Sequence, residues 1–391
     1  MARISSLKAR PILDSRGSWT VEVYLKLNDG RVFKASVPRG KSVGSYEASY
    51  VPVEAAIKNI QEKIAPKLRG LTATNQKVID NILNKIDGTP TKRKLGANST
   101  LAVSIAVAKA GAGDSRKPLW KHLRSLGNFK NTGDCPRLFM NVVNGGLHAG
   151  NNLDFQEYLV IPKTKSIKEA IAVGTKFYDA LRKYLVKLKG ETSSNTGDEG
   201  GFAPNFKDNL EPFSILKKVA QFTRLETKVD FGMDAAASDV TLSENKLKSI
   251  YKKLSRFKNF IYLEDPFSED EFKSFADLRN SLGESLLIAG DDLTVTNLIR
   301  MEKAYKNKSV NSIIIKPNQI GTVTEAIEAV KLAKSFGWKV IASHRSGETN
   351  DDFIADFAYG VGAYGLKLGA PNRGERIAKY NRLLEIEASS D

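Results

Sequence analysis

The sequence predicts an α/β protein in which a closed sheet of parallel, buried strands comes after a smaller α+β domain. The first observation is a repeat in the second half of the chain. There the short apolar runs 229–231, 260–263, 286–289, 312–315 and 340–342, and then Leu366, alternate with segments that are mostly helix-compatible. That alternation is the sequence form of consecutive βα units. The second observation is the polar residue at or just past the end of each run: Asp234, Glu264, Asp291, Lys316, His344 and Lys367 in turn. One acidic residue after an apolar run is ordinarily a helix N-cap or a turn residue. Six chemically competent ends in succession instead mark a rim, because a closed parallel sheet gathers its strand ends on one face. Length is the third: 391 residues exceed one ordinary domain unless a barrel absorbs most of them.

Residues 1–127 read as the α+β domain. Val21, Val23, Leu25 and Leu27 alternate with polar residues, and after the turn Asn28-Asp29-Gly30 a second run extends from Arg31 to Val37, which is a hairpin signal. Residues 38–44 form a glycine-punctuated loop that lacks the spacing of a P-loop. Val53, Ile57, Ile60, Ile64 and Leu68 make one apolar stripe at helical spacing. Further helical segments fall at 76–86, closed by Asp87-Gly88, and at 99–110. Residues 128–137 read as a linker, and the barrel occupies 138–391.

Within the barrel, the run 140–144 enters a glycine turn before His148. Gln156 and Glu157 sit among apolar residues of the next strand, 155–162, where buried polar groups need partners and therefore line a site. A long amphipathic helix spans 166–188, and a closing helix spans 373–386. Between them, Asp198 and Glu199 are flanked by glycines that let the backbone approach a ligand.

Composition narrows the function classes. An apolar fraction of 41% is ordinary for a globular protein and argues against disorder. Cys135 is the single cysteine, which excludes an intramolecular disulfide and fits a reducing cytoplasm. The N-terminus carries Lys8, Arg10, Asp14 and Arg16 without the apolar segment of a signal peptide. No uncharged apolar run reaches the ~18–20 residues of a membrane span. A soluble, cytoplasmic protein is expected. The net charge of +16 attracts polyanions, but the basic residues are spread along helical segments without interleaved aromatics or zinc spacing. Contact with nucleic acid or a membrane surface is therefore the second reading, behind solvated helix faces.

Three carboxylates on successive strands, Asp234, Glu264 and Asp291, repel one another unless a cation lies between them. Oxygen-only ligands select a hard ion, Mg²⁺ first. Lys316 and Lys367 add two ammonium groups, and a lysine beside a divalent cation is expected to have a lowered pKa that suits a general base. Metal plus lysine points to proton abstraction next to a carboxylate.

Five blocks carry a resemblance: Gly197-Asp-Glu-Gly-Gly201, Leu263-Glu-Asp-Pro-Phe267, Asp291-Asp-Leu-Thr-Val-Thr-Asn297, Lys316-Pro-Asn-Gln-Ile-Gly-Thr322 and Ser343-His-Arg-Ser-Gly-Glu-Thr349. In composition and order they resemble the enolase family, the phosphopyruvate hydratases of glycolysis and gluconeogenesis. The likeness runs from Ile12-Leu-Asp-Ser-Arg-Gly17 to Arg376. That superfamily sites pair a Lys or His base with one or two Mg²⁺ ions is general knowledge rather than a result from this chain. The resemblance implies an enolase-type (β/α)8 barrel, reversible dehydration of 2-phosphoglycerate to phosphoenolpyruvate, two Mg²⁺ per site and a homodimer or larger assembly.

Carried over residue by residue, it implies that Asp234, Glu264 and Asp291 hold the first Mg²⁺ and Ser42 the second as its loop closes. Lys316 would take the C2 proton. Glu199 would protonate the departing C3 hydroxyl, with Gln156, Glu157 and His148 alongside. Lys367 would offset the enolate charge, and Arg345 and Ser346 would bind the phosphate beside His344. A different reaction of the superfamily would keep the three carboxylates without both the acid loop and the phosphate cluster. This chain departs from the family in placing Arg39 and Lys41 around Ser42, and both side chains are expected to stay in solvent.

Overall fold

A computed structural model describes residues 1–41, 44–131 and 133–389, so the predicted ligand Ser42 lies outside the described residues. The chain opens with an antiparallel sheet of β1 (Ile4–Leu13), β2 (Trp19–Leu27) and β3 (Val32–Ser36), in that order. The alternating Val21, Val23, Leu25 and Leu27 form the fully buried face of β2. β1 is an addition to the sequence reading. Only Ile4 and Leu7 of it are buried, and their odd spacing across a bulge between Ile4 and Ser6 breaks the period-2 pattern that would have revealed it.

Helix Ala97–Asp114 packs on β2 and β3 and is buried almost throughout, as its small apolar residues permit. The stripe from Val53 to Leu68 is helical but interrupted by a π turn, Asn59–Ile64, which still leaves Ile60, Ile64 and Leu68 fully buried. Helix Gln76–Asp87 stops at Gly88, whose φ of 67° is the left-handed conformation that glycine adopts without strain.

Eight strands close the barrel: β4 (Arg137–Asn144), β5 (Glu157–Pro162), β6 (Val229–Asp234), β7 (Phe260–Glu264), β8 (Leu287–Gly290), β9 (Ser312–Ile315), β10 (Lys339–Ser343) and β11 (Gly365–Lys367). Phe139, Leu159, Ile161, Tyr262, Ala289, Ile314 and Ile341 pack together as one of its buried clusters. The strands are parallel with one exception. β5 runs antiparallel to both β4 and β6, because only a short 3-10 turn, Gly146–His148, and a loop join it to β4. Two helices, Ile167–Lys189 and Glu211–Thr223, then intervene before β6. The reversal puts the start of β5 on the rim where the other strands end, and Glu157 pairs across to Asn144 on one side and Asp234 on the other.

Buried polar bonds join the leading sheet-and-helix unit to the barrel. Asp80 accepts from the Thr324 backbone at 2.9 Å and from the Ser104 hydroxyl at 2.7 Å, while Lys92 pairs with Glu325 and Lys109 with Asp351, both at 2.8 Å. This docking hangs the segment around Glu47 over the rim. Among the described residues no helix is long and apolar enough to cross a membrane.

Candidate active site

Lys367, the last residue of β11, forms the centre of the rim. Its Nζ lies 3.1 Å from Asp234 Oδ2, 2.8 Å from Glu264 Oε1 and 3.2 Å from Glu157 Oε2, and all four side chains are buried. Burial opposes the ammonium charge, but these carboxylates outweigh it and hold the lysine well above its ordinary pKa. The carboxyls respond in the opposite sense. Burial and the neighbouring Asp234 push Glu264 up to about 8, although Lys367 pulls it down. The rim is therefore short of positive charge. That shortage, together with buried hard oxygen donors on the adjacent strands β6, β7 and β8, fits a divalent cation. Asp265, Asp291 and Asp292 also offer oxygens within 4.8 Å of one another, as do His148, Glu157 and Glu199 with one ligand atom each.

Lys316, immediately after β9, bonds to Asp291 Oδ2, and Gln319 donates to Asp291 Oδ1 at 3.1 Å. Burial is the largest influence on Lys316 and lowers its pKa, as do Arg345 and Lys367, but Asp291 and other carboxylates, Glu264 among them, together more than offset this and leave it raised. The carboxylate expected to hold the metal is thus also the lysine's own partner. Asp265 accepts from the backbone N–H groups of Asp291 and Asp292 at 3.0 and 2.6 Å and so fixes the turn that aims Asp291.

The other side of the rim carries Glu199. Gly197 admits the His148 carbonyl where a Cβ would come within 2.5 Å of it, and Gly200 turns the chain at φ +84°. Glu199 accepts from Asn141 Nδ2 at 3.0 Å and faces His148 Nδ1 at 3.6 Å and His344 Nε2 at 3.4 Å. Arg376 contacts His344 Nδ1 at 2.7 Å. A guanidinium only donates, so Nδ1 accepts, and the neutral ring keeps its proton on Nε2, facing Glu199. Burial drives His344 down to about 3. Burial alone would raise Glu199, but His344, His148 and Arg376 hold it well below the usual carboxylate range, whereas burial and Glu199 push Glu157 well above it.

Arg345 is buried in a bidentate pair with Glu47, at 2.8 and 3.0 Å, and not in a surface pair. Ser346 Oγ accepts from the Lys41 backbone N–H at 2.8 Å, and Arg39 pairs antiparallel with Gly347. The Lys41 side chain is exposed, with its Nζ 3.3 Å from Asp198 Oδ2.

One cavity is lined by His148, Gln156, Glu157, Glu199, Asp234 and Asp291, and by Lys316, His344, Arg345, Ser346 and Lys367. Glu264 reaches this group through Lys367. Residues 134–243 and 238–390 match the family model described as Enolase, C-terminal TIM barrel domain, and residues 4–123 match Enolase, N-terminal domain. The chain is 44% identical to Enolase 2 of Hevea brasiliensis, over 98% of this chain and 94% of that protein. It is 43% identical to an enolase of Solanum lycopersicum, over 99% and 95%. With an enolase of Methanopyrus kandleri it shares 42% identity over 99% and 96%.

The chain belongs to the enolase family. Its enolase-type barrel is the fold that the resemblance implied, with the reversed β5 as the feature that βα alternation alone does not reveal. Sequence reasoning passed over Glu47, Asn141, Asp265, Gln319 and Arg376. Asn141 was detectable by the same signal as Gln156, a polar side chain inside an apolar strand. Glu47 was not, since 298 residues separate it from Arg345.

Proposed function

We propose that this chain interconverts 2-phosphoglycerate and phosphoenolpyruvate, with Lys316 as the base at C2 and Glu199 as the acid at C3. The observation that carries this reading is that a lysine just past β9 and a carboxyl held by Asn141 line one buried cavity beside Arg345 and Ser346. For Lys316 to accept a proton, Asp291 must turn away from it. Arg345 and Lys367 already oppose the charge on Lys316 and aid its neutral form. Glu157 and Glu199 form a carboxyl pair whose surroundings drive their pKa values apart, so the acid proton resides within the pair and reaches the departing hydroxyl through Glu199. Arg345 and Ser346 offer a forked donor and a hydroxyl to the phosphate.

Asp234, Glu264 and Asp291 are the proposed ligands of a divalent cation, with Mg²⁺ as the proposed ion and a second held through Ser42. When bound, it supplies positive charge that stabilises a developing enolate. Residues 1–127 are proposed as a cap over the barrel at 138–391, joined by the linker 128–137. A cytoplasmic location and a homodimer or larger assembly are proposed on the family's behaviour. The test separates the two proton transfers. Lys316→Ala should lose exchange of the substrate C2 proton with solvent, whereas Glu199→Gln should retain exchange while dehydration falls by about 10³-fold. Wild-type exchange in both variants would overturn the assignment.

A further inference from the structure

The end of the barrel opposite the rim holds a groove of about 720 Å³, well within the size range of small-molecule sites. Catalysis does not account for it. Its walls come from the turn after β5, from helix Glu211–Thr223 with the loop that follows it and Phe231 of β6, and from the loop between helix Glu244–Leu254 and β7. Its apolar part is Phe231, Phe257 and Ala220, and its cations are Lys163, Lys217, Arg256 and Lys258.

Most of the positive charge there is uncompensated, although Lys228 pairs with Glu169 at 3.3 Å. The segments 163–165, 217–228 and 252–258 carry ten basic residues and one acidic residue, Glu226. Asp230 lies under Lys163 at 3.0 Å, but it is shared with Arg137 at 2.8 Å, so two cations divide one carboxylate. Lys217, Arg256 and Lys258 have no carboxylate partner among the described residues. The Lys217 ammonium instead stands 6.0 Å from the centre of the Phe257 ring. An anion held by Lys217 would therefore lie close to that ring. The Gln221 amide and the Thr227 hydroxyl line the same groove with no side-chain hydrogen bond among the described residues.

We propose that this groove binds a small phosphorylated ligand with a flat aromatic body, of the nucleoside monophosphate class, at a site separate from the catalytic cavity. Cations on the rim of the groove take the phosphate, and Phe257 takes the ring. Neither half suffices alone, because isolated cation–phosphate contacts in solvent are weak and the apolar floor is small.

The test is calorimetry together with ligand-observed NMR on the full chain, with Mg²⁺ and saturating 2-phosphoglycerate occupying the catalytic cavity. Adenosine 5′-monophosphate, ribose 5-phosphate and adenosine are compared. The monophosphate should bind at least about tenfold more tightly than either fragment. Lys217→Ala combined with Arg256→Ala should weaken it by about tenfold. Phe257→Leu should weaken it about threefold while leaving ribose 5-phosphate unchanged. Dehydration activity should stay at the wild-type value in the double variant, which confirms folding. The inference is overturned if millimolar monophosphate gives no saturable signal, if ribose 5-phosphate binds equally well, or if the double variant binds as the wild type does.

Discussion

At the rim of the barrel Glu157, Asp234 and Glu264 are buried around the Lys367 ammonium, while at the opposite end Lys217, Arg256 and Lys258 stand in solvent around one acid, Glu226. The chain as a whole carries +16, yet its catalytic end is acidic. Net charge therefore reports on the surface of this protein and not on its chemistry. The ends also differ in how charge is tolerated. Exposed lysines are hydrated and need no partner, whereas each rim charge must be met by another protein group or by a bound cation.

That contrast breaks most readily at the metal. Chelation should lower activity by more than about 10³-fold and Mg²⁺ should restore it, while ligand binding at the basic end persists in chelator. Full turnover in excess chelator would remove the case for a cation at the acidic rim. Next in size is Lys367→Met, which leaves three buried carboxylates without their ammonium. Urea unfolding of the metal-free protein should show a loss of about 3–5 kcal/mol, and adding Glu264→Gln should recover part of it. A loss below about 1 kcal/mol would mean that water already compensates the rim.

A buried charge site away from both ends gives a smaller, pH-dependent effect. Burial, aided by Lys117, lowers His122 to about 4, against about 6.5 in the unfolded chain. The unfolded state thus binds a proton between these values while the native state does not. The stabilising contribution is complete above about pH 6.5 and is lost as pH falls toward about 4, by about 3 kcal/mol in all. Unfolding midpoints at several pH values should show this slope, and His122→Gln should flatten it. The smallest effect compares one lysine from each end. Lys41→Ala should raise KM about twofold at low salt, since its partner Asp198 adjoins Glu199. Lys258→Ala should change neither kcat nor KM, and equal effects would show that bulk charge, not position, governs substrate capture.

Much of the rim was legible because each strand end is a local event: an apolar run stops and a polar residue takes its place. Asp234, Glu264, Lys316 and Lys367 stand at such ends, at or just beyond β6, β7, β9 and β11. Gln156 and Glu157 were legible for another reason, as polar residues in an apolar strand. β1 was hidden because its exposed face and its bulge near Ser6 remove the alternation. The basic groove was hidden because Lys163, Lys217 and Arg256 are separate helix or loop residues until the barrel gathers them.

By itself the sequence determined the alternation of strands and helices, the buried face of β2 and the identity of the groups that reach the rim. These arise from side-chain period and burial, which a few neighbouring residues encode. Tertiary structure alone decided the direction of β5, the pairing of Arg345 with Glu47, the Arg376 contact that sets the His344 tautomer, and the pairing of Lys316 with Asp291. Each depends on which distant groups share a few ångströms of low-dielectric space, and no local pattern records that distance.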